Sequence, residues 1–283
     1  MTGWEWAMLA ALIIVFREVL EAGLVVGVVL AATRGIPWRG LYVGGGVLAG
    51  VVGASIIALF ADQISNLFEG TGQELLNAGV LGVAVVMLVW TGLWMSTHGR
   101  QLAAEMKSVG VDVAEGRKPL TALAIVVAVA VLREGFEVVL FLYGVVAAGG
   151  ATASSIALGG LLGILAGAAV SGALYLGIVA IPLKHVFKAI SVLITLLAAS
   201  LASQAVGLLQ SAGYLDTWSD PLWDTSNVLS EDSILGRVLH ALVGYTAQPS
   251  GMQLLAYIAV IVVTVVLSRM VHQPAPAPRV AKS

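Results

Sequence analysis

Apolar and polar positions fall into long blocks along this chain, not into short alternations. Apolar runs of about 20 residues or more recur between brief polar stretches. They predict seven spanning helices, over Trp4–Ala32, Leu41–Phe60, Leu75–Met95, Leu120–Ala148, Ser155–Ala180, Val186–Leu209 and Met252–Met270. A β-barrel would show segments of about ten residues with alternating polarity instead. The expected class is all-α: a polytopic membrane protein with one transmembrane domain over residues 1–272 and a flexible cytoplasmic tail over 273–283. Two shorter helices are also predicted. One starts near Ser230 and puts Ile234, Leu235, Val238, Leu239 and Leu242 on one apolar face, suited to lying against the bundle. The other is amphipathic and covers residues 101–109, before Gly116 and Pro119 break the chain.

Composition agrees. Hydrophobic residues make up 59% of the chain and charged residues 11%, about half the usual charged fraction of a soluble domain. The absence of cysteine excludes thiolate metal sites, disulfides and cysteine nucleophiles. The first helix has no basic region ahead of it and contains Arg17, so it is expected to be retained and not cleaved as a signal peptide.

Charge distribution predicts orientation. Eleven basic residues (Arg34, Arg39, Arg100, Lys107, Arg117, Lys118, Lys184, Lys188, Arg269, Arg279 and Lys282) fall on one side of the seven-helix scheme, and Arg237 alone falls on the other. The N-terminus is therefore expected outside and the C-terminus in the cytoplasm. The outer loops then carry Asp62, Glu69 and Glu74, followed by Asp216, Asp220 and Asp224. Such an acidic face either gathers cations or simply solvates the exterior. The four-residue spacing of Asp216, Asp220 and Asp224 fits one face of a helix.

Within this apolar background one polar pattern occurs twice. Arg17-Glu18-Val19-Leu20-Glu21 and Arg133-Glu134-Gly135-Phe136-Glu137 share Arg-Glu-x-x-Glu at an offset of 116 residues. Gly46-x-x-x-Gly50 and Gly163-x-x-x-Gly167 follow at an offset of 117. These offsets indicate a duplicated three-helix unit, and an odd helix number inserts the second copy upside down. The expected architecture is an inverted 3+3 repeat plus a C-terminal helix, with a substrate site where the halves meet near the midplane. Gly23, Gly27, Gly135 and Gly144 are candidates for the close contact there.

Glutamates three apart share a helical face, so antiparallel packing of the two motif helices would converge Glu18, Glu21, Glu134 and Glu137, with Arg17 and Arg133 behind them. Fully ionised, the two motifs together carry a formal charge of −2, which low dielectric disfavours unless protons or a multivalent cation relieve it. Carboxylates suit hard cations: Fe(III), and also Fe(II), Mn(II), Mg(II) or Ca(II). The competing reading is a pair of structural Arg–Glu bridges, although one glutamate per motif would balance the arginine. Secondary candidates are His98, as an exit ligand or an interfacial residue, and Ser200, Ser203 and Gln204, which either line a path or hydrogen-bond between helices.

The paired motifs resemble those of the oxidase-dependent iron permease family, which includes fungal high-affinity iron permeases and bacterial ferrous/ferric iron-uptake permeases. Trp90–Met95 and Gly244-Tyr245-Thr246-Ala247-Gln248-Pro249-Ser250 extend the resemblance over most of the chain. It implies a permease, not an enzyme, in the bacterial cytoplasmic membrane, importing Fe(III) or Fe(II) with the four motif glutamates as ligands. It also implies an extracytoplasmic partner that oxidises or delivers iron: a multicopper oxidase in fungi, cupredoxin-like and haem-peroxidase proteins in many bacteria. Iron is expected as transported substrate, with no organic cofactor and no nucleic-acid partner; oligomeric state is left open. Some relatives are associated with lead, so lead or manganese stand as alternative ions. An intramembrane di-metal carboxylate enzyme is a further alternative, though neither motif supplies the Glu-x-x-His ligands that such sites use.

Overall fold

The computed structural model describes residues 4–66, 73–149, 151–177, 183–231 and 233–271. They form eight helices: α1 (Trp4–Ala32), α2 (Arg39–Asn66), α3 (Gln73–Ala114), α4 (Thr121–Ala147), α5 (Ala153–Tyr175), α6 (Leu183–Ser211), α7 (Ile234–Val243) and α8 (Gly251–Val271). The protein is a polytopic, all-helical membrane protein. Helices α2, α3, α5, α6 and α8 are long and apolar enough to cross a bilayer. Helices α1 and α4, at 29 and 27 residues, are long enough too, but each carries three charged residues of a motif near its centre.

Two boundaries differ from the sequence reading. Helix α3 does not stop at Met95 but continues to Ala114, absorbing the separate helix expected over 101–109. Nothing in Gln101–Val109 breaks a helix, and the first breaker is Gly116, with φ of +74°. The short helix α7 forms as expected, but its cap is Ser233, whose Oγ accepts from the Gly236 N–H, and not Ser230. The 273–283 tail lies outside the described residues.

The repeat is visible in the packing. Helix α5 lies parallel to α1, and α2 lies parallel to α4, so each half lends its second helix to the other half's first. Gly159 and Gly163 sit against the α1 backbone at Met8 and Leu12, while Gly46 and Gly50 sit against the α4 backbone at Ala124 and Ala128. A third rung sets Gly167 against Val19 and Ala54 against Gly135. Met8, Leu12 and Val19 correspond to Ala124, Ala128 and Gly135 at an offset of 116. Their partners, Gly159, Gly163 and Gly167 on α5 and Gly46, Gly50 and Ala54 on α2, correspond at 113, not at the 117 of the sequence reading. Glycines four apart match equally well one turn out of register, which explains the slip. Gly23 and Gly27 face Ser171 and Tyr175 of α5, Gly135 faces α2, and Gly144 faces Ala84 of α3. All four mediate contact between the halves, but none lies at the α1–α4 crossing.

Helices α1 and α4 cross antiparallel. At one end Trp6, Ala7, Ala10 and Ile14 pack with Phe141 and Val145, joined by Leu81, Leu88, Leu197 and Leu201. At the other end Val29 packs with Val43, Val113, Leu123 and Val127. The two apolar plugs leave the helix midpoints between them, where Glu18 and Glu134 stand.

The segment between α6 and α7 is irregular and stitched to the strand-like approach to α8. Leu222 N–H donates to the Pro249 carbonyl (2.9 Å), Thr225 N–H to Ala247 (3.0 Å) and Gly251 N–H to Trp218 (3.1 Å). The Tyr245 hydroxyl donates to the Leu229 carbonyl (2.8 Å). The Gly244–Ser250 stretch is therefore a clasp. It ends in a capping box: Ser250 Oγ accepts from Gln253 N–H (3.2 Å), and Gln253 Oε1 from Ser250 N–H (2.9 Å).

Candidate metal centre

Burial of a charged motif at mid-helix requires that the opposing helix supply matching groups, and it supplies more charge. Arg17, Glu18, Glu21, Glu134 and Glu137 are all buried. Carboxylate oxygens of Glu18, Glu21 and Glu134 lie within 4.8 Å of one another, the one such cluster of potential ligands among the described residues. Glu137 stands outside that trio. Arg17 holds its own motif from behind, with Nη1 2.7 Å from Glu18 Oε1 and Nε 2.9 Å from Glu21 Oε1. Arg133 differs: its Nε lies 3.3 Å from Glu137 Oε1, and its guanidinium stacks 4.2 Å from the centroid of the Trp94 ring.

The Oε2 atoms of Glu18, Glu134 and Glu137 are buried without a hydrogen-bond partner. An unsatisfied buried polar atom costs about 1–3 kcal/mol, more when charged. Four carboxylates facing two guanidiniums, three of them with a free oxygen, form an acceptor-only site. Such an arrangement is chemically suited to a hard multivalent cation, or to protons. One arginine per motif offsets part of the charge of the carboxylates.

The acidic residues of the loops, expected on the outer face, behave differently. Asp216, Asp220 and Asp224 are exposed and lie in an irregular loop, not on a helix face; Pro221 interrupts the spacing. They form no ligand cluster of three among the described residues. Asp224 is committed to the loop: Oδ1 accepts from the Ser226 hydroxyl and N–H, and Oδ2 from Gln248 Nε2 at 2.8 Å. The Ser226 hydroxyl, then its N–H and Gln248, hold this carboxyl below the usual aspartate range. A depressed value means that the stabilisation is present above the ordinary pKa of about 4 and lost as pH falls through the folded value. Asp224→Ala is accordingly expected to raise hydrogen exchange over residues 222–226 severalfold at neutral pH. The native protein should loosen there only on strong acidification, and unchanged exchange in the variant refutes this role. Glu74 is exposed in the first turn of α3; the side chain of Asp62 and all of Glu69 lie outside the described residues.

The secondary candidates are also placed. Gln204 Nε2 donates to Ser200 Oγ (3.1 Å), and Ser200 lies under Gly244 at the α7 C-cap. Farther along α6, Gln210 Oε1 accepts from Ser250 Oγ at 2.8 Å. This polar column ties α6 to the start of α8, and Ser203 is buried on the same helix. The side chain of His98 lies outside the described residues. Trp94 falls at the expected end of the third span, in the Trp90–Met95 stretch, where the sequence assigns it no role; α3 sets its ring against the Arg133 guanidinium.

An inverted pair of helix units enclosing a buried carboxylate cluster at their crossing defines a membrane transport protein. The iron permease FTR1 family matches residues 8–272 of this chain. "Ferrous iron permease EfeU" of Yersinia pestis is 31% identical over 265 residues, covering 92% of this chain and 93% of that one. The protein of the same name from Escherichia coli is 30% identical over 251 residues, covering 86% and 88%. No solved structure matches. The chain belongs to the iron permease FTR1 family, a family of iron transporters in membranes.

Proposed function

We propose that this permease carries iron into the cytoplasm across the bacterial cytoplasmic membrane, in seven spans with α1 entering from outside. Glu18, Glu21, Glu134 and Glu137 are the ion's ligands in this reading. The observation that carries it is the convergence of three buried carboxylates from two antiparallel helices, with oxygens left free. Iron reaches the site past the plug around Trp6, Ile14 and Phe141 and leaves past that around Val29, Val113 and Leu123. The glycine-locked pairs α1–α5 and α2–α4 move as units, and the α1–α4 crossing between them opens to alternate sides. Relatives named as ferrous iron permeases favour Fe(II) as the ion presented, and a separate extracytoplasmic protein oxidises or delivers it.

The test is uptake into sealed vesicles holding the purified protein and an internal chelator, with Fe(II) under anaerobic conditions compared with Fe(III), Mn(II) and Pb(II). Iron is expected to enter at least tenfold faster than into protein-free vesicles and faster than the other metals. Iron flux at the protein-free rate overturns the proposal. Faster Mn(II) or Pb(II) flux reassigns the ion.

A further inference from the structure

The two motifs have the same sequence spacing but different side-chain arrangements, and the arginines differ most visibly. Arg17 turns inward, is 5% exposed, and contacts both glutamates of its motif, including the adjacent Glu18. Arg133 turns outward and is 34% exposed. Its one ion pair among the described residues is with Glu137, while its planar guanidinium lies over the Trp94 ring of α3. Arg17 shows that the arginine of this motif can reach the adjacent glutamate. In α4 that reach is not used: Glu134 makes no ion pair among the described residues, and its buried Oε2 has no partner. The arginine of α4 therefore has two available positions, one over an aromatic face and one over a carboxylate of the ion site.

We propose that Trp94 is a positioning residue that holds the Arg133 guanidinium off Glu134 and so keeps the ion site open to a cation. The inference rests on the four-glutamate reading of the site. Released from the ring, Arg133 is a tethered cation beside two acidic ligands, and it competes with the metal for them. A cation–π contact away from bulk water is strong enough to matter: its loss corresponds to roughly a tenfold change in an equilibrium. Arginine suits the latch because its flat, weakly hydrated guanidinium stacks on an aromatic face, which a lysine ammonium does less well. The asymmetry also divides labour between the halves. Arg17 neutralises both glutamates of its motif, whereas the latched Arg133 pairs with Glu137 and reaches Glu134 only when released.

The test is anaerobic Fe(II) binding to the purified protein in lipid nanodiscs, measured for Trp94→Leu, Trp94→Phe, Arg133→Gln and the double variant Trp94→Leu/Arg133→Gln. Trp94→Leu is expected to weaken Fe(II) binding about tenfold, and Trp94→Phe, which keeps an aromatic face, to lie within about threefold of the native protein. Removing the guanidinium should make Trp94 irrelevant, so the double variant should bind like Arg133→Gln alone. A merely structural tryptophan gives the opposite pattern, with Trp94→Leu weakening binding equally in both backgrounds, and that result overturns the inference. Unchanged binding in Trp94→Leu also overturns it. Glu134→Gln separates the two levels: loss of Fe(II) binding there with no effect at Trp94 discards the latch alone, whereas unchanged binding in Glu134→Gln discards the site.

Discussion

Glu134→Gln is expected to abolish iron uptake while leaving the protein inserted and at least as stable as the native chain. The two halves of that result come from the same geometry. Glu134 contributes one of the three converging carboxylates yet is bonded to neither arginine, so its removal leaves no guanidinium stranded. It takes one negative charge out of a buried cluster in which carboxylates outnumber arginines. Relief of that repulsion offsets the lost polarity, and breaking a buried ion pair is not involved. The cation, in contrast, loses a ligand outright. Loss of mere supporting groups around a metal typically weakens it 10- to 100-fold, so loss of a ligand should reduce flux about 100-fold or more.

The opposed signs distinguish a transport site from a structural one. If the motifs were only helix fasteners, stability would fall together with uptake. Glu21→Ala is the informative companion, because Glu21 is bonded to Arg17 at 2.9 Å. It should lose uptake as fully but gain no stability, since Arg17 keeps only Glu18. The measurements are vesicle flux and thermal unfolding in matched detergent. Near-native flux in Glu134→Gln, or a large stability loss without loss of flux, would remove the carboxylate site from the mechanism.

Much of this site was legible in the sequence because charge is so rare in the chain. Against long apolar runs, Arg17, Glu18 and Glu21 stand out at once, and the second copy supplies the partner helix. Inverted topology followed from the odd number of helices per unit, and the parallel α1–α5 and α2–α4 pairs accord with it. The register of those pairs was not legible. Gly159, Gly163 and Gly167 repeat every four residues, so a match displaced by one turn looks as good as the true one until the facing backbone at Met8 and Ala124 is seen. The arginine asymmetry was invisible for another reason. The shared Arg-Glu-x-x-Glu spacing permits both side-chain positions, and the choice is made by Trp94, a residue from a different helix. The loop aspartates show a spacing argument failing where its own contradiction was in view: Pro221 stands between Asp220 and Asp224, and a proline at that place ends helical periodicity.

Gly135→Ala is expected to disrupt the α2–α4 pair, and Ala54→Gly in the same chain to restore it. A methyl added at Gly135 falls 2.5 Å from the Ala54 Cβ, closer than packed carbons approach, so one helix must move. Overpacking of this kind costs about 1–3 kcal/mol, and more when neither side can yield. Here Gly46 and Gly50 already press α2 onto the α4 backbone on the same face, so α2 has no slack to withdraw. Exchanging the two residues is permitted because the other half of the protein tolerates the reverse arrangement. There the α5 position equivalent to Ala54 is glycine, Gly167, and the α1 position equivalent to Gly135 carries the larger Val19. The pseudo-symmetry thus predicts the rescue. Gly45→Ala and Gly160→Ala are the controls, since a methyl at either meets no atom within 4 Å. Gly135→Ala should lower the unfolding temperature by several degrees and uptake with it, the double variant should recover both, and the controls should match the native protein. If Ala54→Gly gives no recovery, the third rung of the pairing is wrong and the 113-residue register falls with it, because that register places Gly135 on Ala54 and Val19 on Gly167 together.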